Sequence, residues 1–84
     1  MYNVMTVLVN NRKSSAIRVQ ELLTESGCII KTRLGLNGGG EACSDEGLII
    51  LELKGDREKI QALEGSLNKV EGVKAKNIEL SSDD

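Results

Sequence analysis

Eighty-four residues, 39% of them hydrophobic, make one domain with no room for a second. A formal net charge of -2 and a single aromatic, Tyr2, argue against both the broad basic field and the base-stacking surface that nucleic-acid binders use. Histidine is absent, and the only two cysteines are Cys28 and Cys43, so a secreted disulfide scaffold is not expected.

Tyr2 to Val9 is rich in β-branched residues and ends at the turn signal Asn10-Asn11. Both of its faces are apolar, which reads as a central strand. Ser14 or Ser15 can N-cap the helix that follows, where Ala16, Val19, Leu22 and Leu23 recur at helical spacing. Gly27 stands where a left-handed C-cap is expected. The alternation predicts a second strand over 28–36, with Ile30, Thr32, Leu34 and Leu36 on one face and Ile29, Lys31 and Arg33 on the other. NGGGEACSDE, residues 37–46, reads as a flexible hairpin loop. In the third strand, 47–54, Ile49, Leu51 and Leu53 share one face, and Leu48 and Ile50 share the other with Glu52 and Lys54.

Asp56 is the expected N-cap of a second helix whose stripe is Ile60, Leu63, Leu67 and Val70, closed by Gly72. Gly65, inside that helix, costs roughly 1 kcal/mol relative to Ala. Close approach of another backbone and simple tolerance are equally good readings of it. In the last strand, Val73 and Ala75 differ in parity from Ile78 and Leu80, and a bulge near Lys76-Asn77 would reconcile them. SSDD, residues 81–84, reads as a frayed acidic tail.

Two strand-helix-strand units predict an α+β, ferredoxin-like βαββαβ sandwich over residues 1–80, a four-stranded antiparallel sheet with two helices on one face. Two helices cover only one face of such a sheet. Ile30, Leu34, Ile49, Leu51 and Leu53 are then expected against the helices. Ile29, Lys31, Arg33, Leu48 and Ile50, beside Glu52, are expected on the open face as an oligomer interface. A symmetric dimer is the default and a tetramer its extension, which also suits the modest burial that a short chain achieves. No signal peptide precedes the first strand and no apolar run approaches transmembrane length, so a cytoplasmic protein without membrane contact is expected.

Chemistry is sparse. The Gly38-Gly39-Gly40 run lacks a following Lys-Ser/Thr and leads into a strand, so neither a P-loop nor a dinucleotide fingerprint fits. Glu41, Cys43, Asp45 and Glu46 crowd one loop, but without His, a CxxC pair or calcium-loop spacing they read as a solvated acidic loop. Cys28 reads as a small, half-buried residue rather than a reactive thiolate. Asn10, Asn11 and Arg12, with Lys13, stand before a helix N-terminus, where anions are favoured, and form the candidate effector-binding cluster. A phosphate-cradling enzyme on this frame would need glycine there, and NNRKSS has none. No nucleophile-base pair or paired carboxylates can be assembled. No catalytic residue, no metal and no cofactor are expected.

The pattern of MTVLVNNR, KTRLGL and LIILELKGDREKIQALEGSLNKVEGVKAK resembles the small ACT-like proteins described as regulators of the iron-only hydrogenase system. The resemblance spans about residues 3 to 80, and its most specific part is GD before the second helix and LNKVEGVKAK running into the last strand. It implies a ferredoxin-like fold, a sheet-mediated oligomer and a regulatory role linked to [FeFe]-hydrogenase. The family is also similar to the effector domain of the nickel-responsive ribbon-helix-helix repressor. That repressor's metal site relies on His and Cys, and its DNA-binding half needs an additional N-terminal segment, so neither nickel sensing nor direct nucleic-acid binding is expected here. ACT domains bind amino acids near a glycine in the first strand-helix loop, the position that Asn10, Asn11 and Arg12 occupy here. Two functions stay open: a regulator that binds a small effector between subunits, and an interaction adaptor that docks on a protein partner without one.

Overall fold

A computed structural model describes residues 1–10, 13–37 and 46–82. Its elements run β1 (Tyr2–Asn10), α1 (Lys13–Glu25), a 3-10 turn (Gly27–Ile29), β2 (Ile30–Asn37), β3 (Glu46–Leu53), α2 (Arg57–Asn68) and β4 (Val73–Leu80). The strands form one sheet in the order β2-β3-β1-β4, with every neighbouring pair antiparallel. This is the ferredoxin-like, ACT-like βαββαβ arrangement that the two strand-helix-strand units predict. β1 is central, as its two apolar faces require.

Register decides which residues meet the helices. Met5 opposes Leu51 and Val7 opposes Ile49 across one side of β1, while Val7 opposes Ala75 and Val9 opposes Val73 across the other. These residues join Val19, Leu22 and Leu23 of α1 and Ile60, Leu63 and Leu67 of α2 in one buried cluster. Met5, Leu51, Val7, Leu23, Ile60, Leu67 and Val19 lose essentially all solvent contact. This core contains no aromatic side chain.

Three expectations are corrected. The sheet's irregularity lies between Ile30 and Thr32 of β2. β4, in contrast, pairs with β1 without a break from Tyr2↔Leu80 to Val9↔Val73. The parity change in β4 is therefore the two faces of one regular strand and not a bulge. In β2 the extra residue, Lys31, reverses the phase: Ile30 opposes Leu53 on the helix side, whereas Leu34 opposes Ile50 on the open side.

The helix ends bring the other two corrections. Gly27 does not take a left-handed cap, since Gly55 and Gly72 alone have positive φ among the described residues. The chain passes directly into the 3-10 turn through Ser26 N–H to Leu22 O (3.1 Å) and Ile29 N–H to Ser26 O (3.0 Å). Ser15 lies inside α1 and its hydroxyl donates elsewhere, as described below. Asp56, by contrast, caps α2 as expected, accepting from Glu58 N–H at 2.9 Å.

Candidate functional site

Asn10 ends β1, and Asn11 and Arg12, the rest of the candidate effector cluster, lie outside the described residues. Asn10 N–H donates to Gly72 O at 3.1 Å, joining this junction to the turn between α2 and β4. Gly72 adopts φ +75, and a Cβ there would stand 1.7 Å from Asn10 Nδ2. The Asn10 amide thus fills the space that glycine leaves empty. Next to it, buried Ser15 donates from Oγ to Glu71 O at 2.7 Å. Two hydrogen bonds and one close contact fasten the start of α1 to the turn after α2. Asn10 is half-buried in this contact.

The open face is the larger feature. Its register places Glu52 beside Val4 and Thr32, and Ile50 beside Thr6 and Leu34. Leu48 lies beside Leu8, which in turn opposes Lys74 of β4, while Val4 opposes Ile78 and Thr6 opposes Lys76. Leu34 is 52% exposed, Leu80 57% and Tyr2 62%. Leu8 and Ile78 are also exposed, and Val4, Leu48 and Ile50 are half-buried. Eight large apolar side chains therefore share a face that no described element covers.

Of the five residues expected at an interface, Leu48 and Ile50 lie on this face. Lys31 sits at the bulge and its ammonium pairs with Glu52 at 3.9 Å. Ile29 and Arg33 do not belong to the face. Ile29 is in the 3-10 turn and is 8% exposed, part of the core. Arg33 opposes Leu51 on the helix side and its guanidinium donates to Gln20 of α1. Leu34, expected in the core, is the exposed residue instead. The bulge at Lys31 causes the exchange of Arg33 and Leu34, because one extra residue moves every later side chain to the opposite face.

Other chemistry is limited. Cys28 is an exposed free thiol, against the half-buried reading, beside a cleft of about 380 Å³ between the C-terminal end of α1 and α2. Among the described residues no three His, Cys, Asp or Glu groups come together to hold a metal. Cys43 and the acidic loop residues Glu41 and Asp45 lie outside the described residues. No described helix is long and apolar enough to cross a membrane. What remains is a binding geometry: an aliphatic sheet face, cations along β4, and a clamped corner at the start of α1.

Residues 1–77 match the model of the TM1266-like family, described by assignment rather than demonstrated activity as an iron-only hydrogenase system regulator. No curated protein matches. Among solved structures, the uncharacterised protein TM1266 from Thermotoga maritima is 30% identical, with a TM-score of 0.86 over 95% of this chain and 96% of that one. The ACT domain of GTP pyrophosphokinase from Chlorobium tepidum shares the fold at 14% identity, TM-score 0.72, over 93% and 97% of the two chains. So does CPII, a nitrogen regulatory PII-like protein from Thiomonas intermedia K12, at 14% identity, TM-score 0.58, over 98% and 92%. CPII was solved bound to ADP, AMP and bicarbonate.

Proposed function

We propose, from the premise that this chain belongs to the TM1266-like family of iron-only hydrogenase system regulators, that it is a non-enzymatic, cytoplasmic regulatory domain acting as a homo-oligomer. The open sheet face carries this reading. Leu8, Leu34, Leu48, Ile50 and Ile78 form an apolar patch of the kind that marks an interaction surface. A second copy would cover it, through Leu48 and Ile50 as expected and through Leu34, Leu8 and Ile78 as the register adds. The small effector is assigned to the subunit boundary near Asn10, Asn11 and Arg12. That corner stands at the start of α1, and a helix N-terminus favours an anionic group.

Purified protein should elute as a dimer or tetramer, and Ile50→Lys should convert it to a folded monomer. An Ile50→Lys protein that keeps its oligomeric size refutes the face assignment. For the effector, a thermal-shift screen of amino acids, nucleotides and divalent cations should find a compound that raises the melting temperature. That shift should vanish in Arg12→Ala. If every compound leaves the melting temperature unmoved, the effector half of the reading fails while the oligomer half stands.

A second reading has its own observation. Lys74 and Lys76 line the open face along β4, both exposed beside Ile78. Like charges of two copies would have to avoid one another there, whereas an acidic protein partner would not. The adaptor reading predicts that a monomeric protein retains a stoichiometric partner in a pull-down from hydrogenase-producing cells. A stable homo-oligomer without such a partner speaks against it.

A further inference from the structure

The sheet is open, so it has two edge strands, β2 and β4. An edge presents a row of unpaired N–H and C=O groups that a strand of another chain can join. The two edges are treated differently here. Along β4, α2 supplies side chains that bond three of the outward backbone groups. Asn68 Nδ2 donates to Ala75 O at 2.9 Å, and Asn68 Oδ1 accepts from Ala75 N–H at 2.8 Å. This is the two-bond pattern that one strand residue makes with its partner. Two residues on, Asn77 N–H donates to Glu64 Oε2 at 2.7 Å. Two residues earlier, Val73 N–H is taken by Val70 O at 3.1 Å.

The spacing explains why a helix can do this. Glu64 and Asn68 are one turn apart, roughly 6 Å along the axis. Ala75 and Asn77 are two residues apart on a strand, roughly 7 Å. The pairing runs in opposite senses, Asn68 with Ala75 and Glu64 with Asn77, so one antiparallel helix face follows the strand. Asn68 is anchored in turn, donating also to Glu64 O at 3.1 Å. The Arg57–Glu79 ion pair, at 3.2 Å, extends the same α2–β4 contact by one more outward position. Among the described residues, no side chain of another element makes such bonds to the outer backbone of β2.

We propose that Glu64 and Asn68 act as a built-in substitute strand that closes β4 to strand addition by a second copy of this chain. The consequence is directional. Edge pairing that would otherwise propagate from both sides of the sheet into an open-ended array is denied at β4. This assignment is independent of the effector and of any contact through the open face.

Amide hydrogen exchange on the wild-type protein tests it without any substitution. Ala75 and Asn77 should exchange at least about tenfold more slowly than unprotected amides, since each has a fixed acceptor. Exchange at the unprotected rate would overturn the proposal. Removing the caps then gives the second test. Asn68→Ala with Glu64→Ala should lose that protection, leave the β1 amides protected, and form larger assemblies by light scattering at raised concentration. Glu64→Gln, which keeps an acceptor oxygen, should restore Asn77 protection. A double variant that stays folded at wild-type assembly size shows that the caps do not govern strand addition. If the double variant does not fold, Asn68→Asp serves. It keeps the acceptor for Ala75 N–H but cannot donate to Ala75 O, so Ala75 stays protected while assembly increases; unchanged assembly overturns the proposal.

Discussion

Ile50 and Leu51 are neighbours in β3 and nearly the same side chain, yet they occupy different worlds. Leu51 lies against Met5 and the helices with no solvent contact. Ile50 lies beside Thr6 and 52% exposed Leu34 on the face that no described element covers. Both faces of the sheet carry large aliphatic side chains, the open one interspersed with Thr6, Glu52, Lys74 and Lys76. They differ in what covers them, and an apolar face is a core only when something does.

The largest expected effect tests that contrast directly. Leu51→Ala should cost about 2–5 kcal/mol of unfolding free energy, because its site is closed on every side. Ile50→Ala should cost less, about 1 kcal/mol in dilute protein, since the side chain is only partly buried. With rising protein concentration the Ile50→Ala cost should grow, because covering the open face couples assembly to stability. Urea denaturation of both variants at two concentrations measures this. Equal and concentration-independent costs would erase the distinction between the faces.

Gly72→Ala asks how firmly the covered layer is closed at its corner. A φ of +75 is strained for alanine, and its Cβ would enter the Asn10 amide. A loss of about 1–3 kcal/mol is expected from the two causes together. Adding Asn10→Ala should recover the steric part and leave the conformational part, which denaturation of single and double variants resolves. Full recovery would mean that the backbone strain is negligible; no recovery would mean that the amide simply swings away.

Ser15→Ala acts on the same corner with a smaller effect. It removes the 2.7 Å bond to Glu71 O and leaves that carbonyl to find water. About 1 kcal/mol is expected, against near zero for exposed Ser14→Ala in the same helix. Equal values for the two serines would mean that Ser15 does not clamp the turn.

The element order, the central position of β1 and the Asp56 cap were all legible, because each rests on local pattern. Periodicity reports a face only while the register holds, however. Lys31 is an ordinary strand residue by composition, and nothing in IKTRLGL marks it as the extra one. That single bulge exchanged Leu34 with Arg33; of the residues expected on the open face, Leu48 and Ile50 lie there, Arg33 is on the helix side and Ile29 is in the 3-10 turn. Asn68 was missed and Ser15 was read as an N-cap for a different reason. Each makes its bond to an element distant in structure, and a polar residue near a helix end reads locally as a cap or as solvent-facing. Of the effector cluster, only Asn10 has a described position, and there it packs on Gly72.

The smallest expected effect concerns the outer surface of α2, which sharpens the comparison from the other side. A Cβ added at Gly65 meets nothing within 4 Å, and the residue is exposed, so close approach of another backbone within this chain is not the reason for it. Alanine there should raise stability by about 0.5–1 kcal/mol, through higher helix propensity and a less flexible unfolded chain. That gain should be independent of protein concentration if the helix layer faces water while the opposite sheet face meets the partner. A Gly65→Ala protein that instead loses stability as concentration rises, or changes oligomeric size, would place a second contact on α2. The covered side of the sheet would then carry an interface of its own, and the open face would no longer be the single surface on which assembly depends.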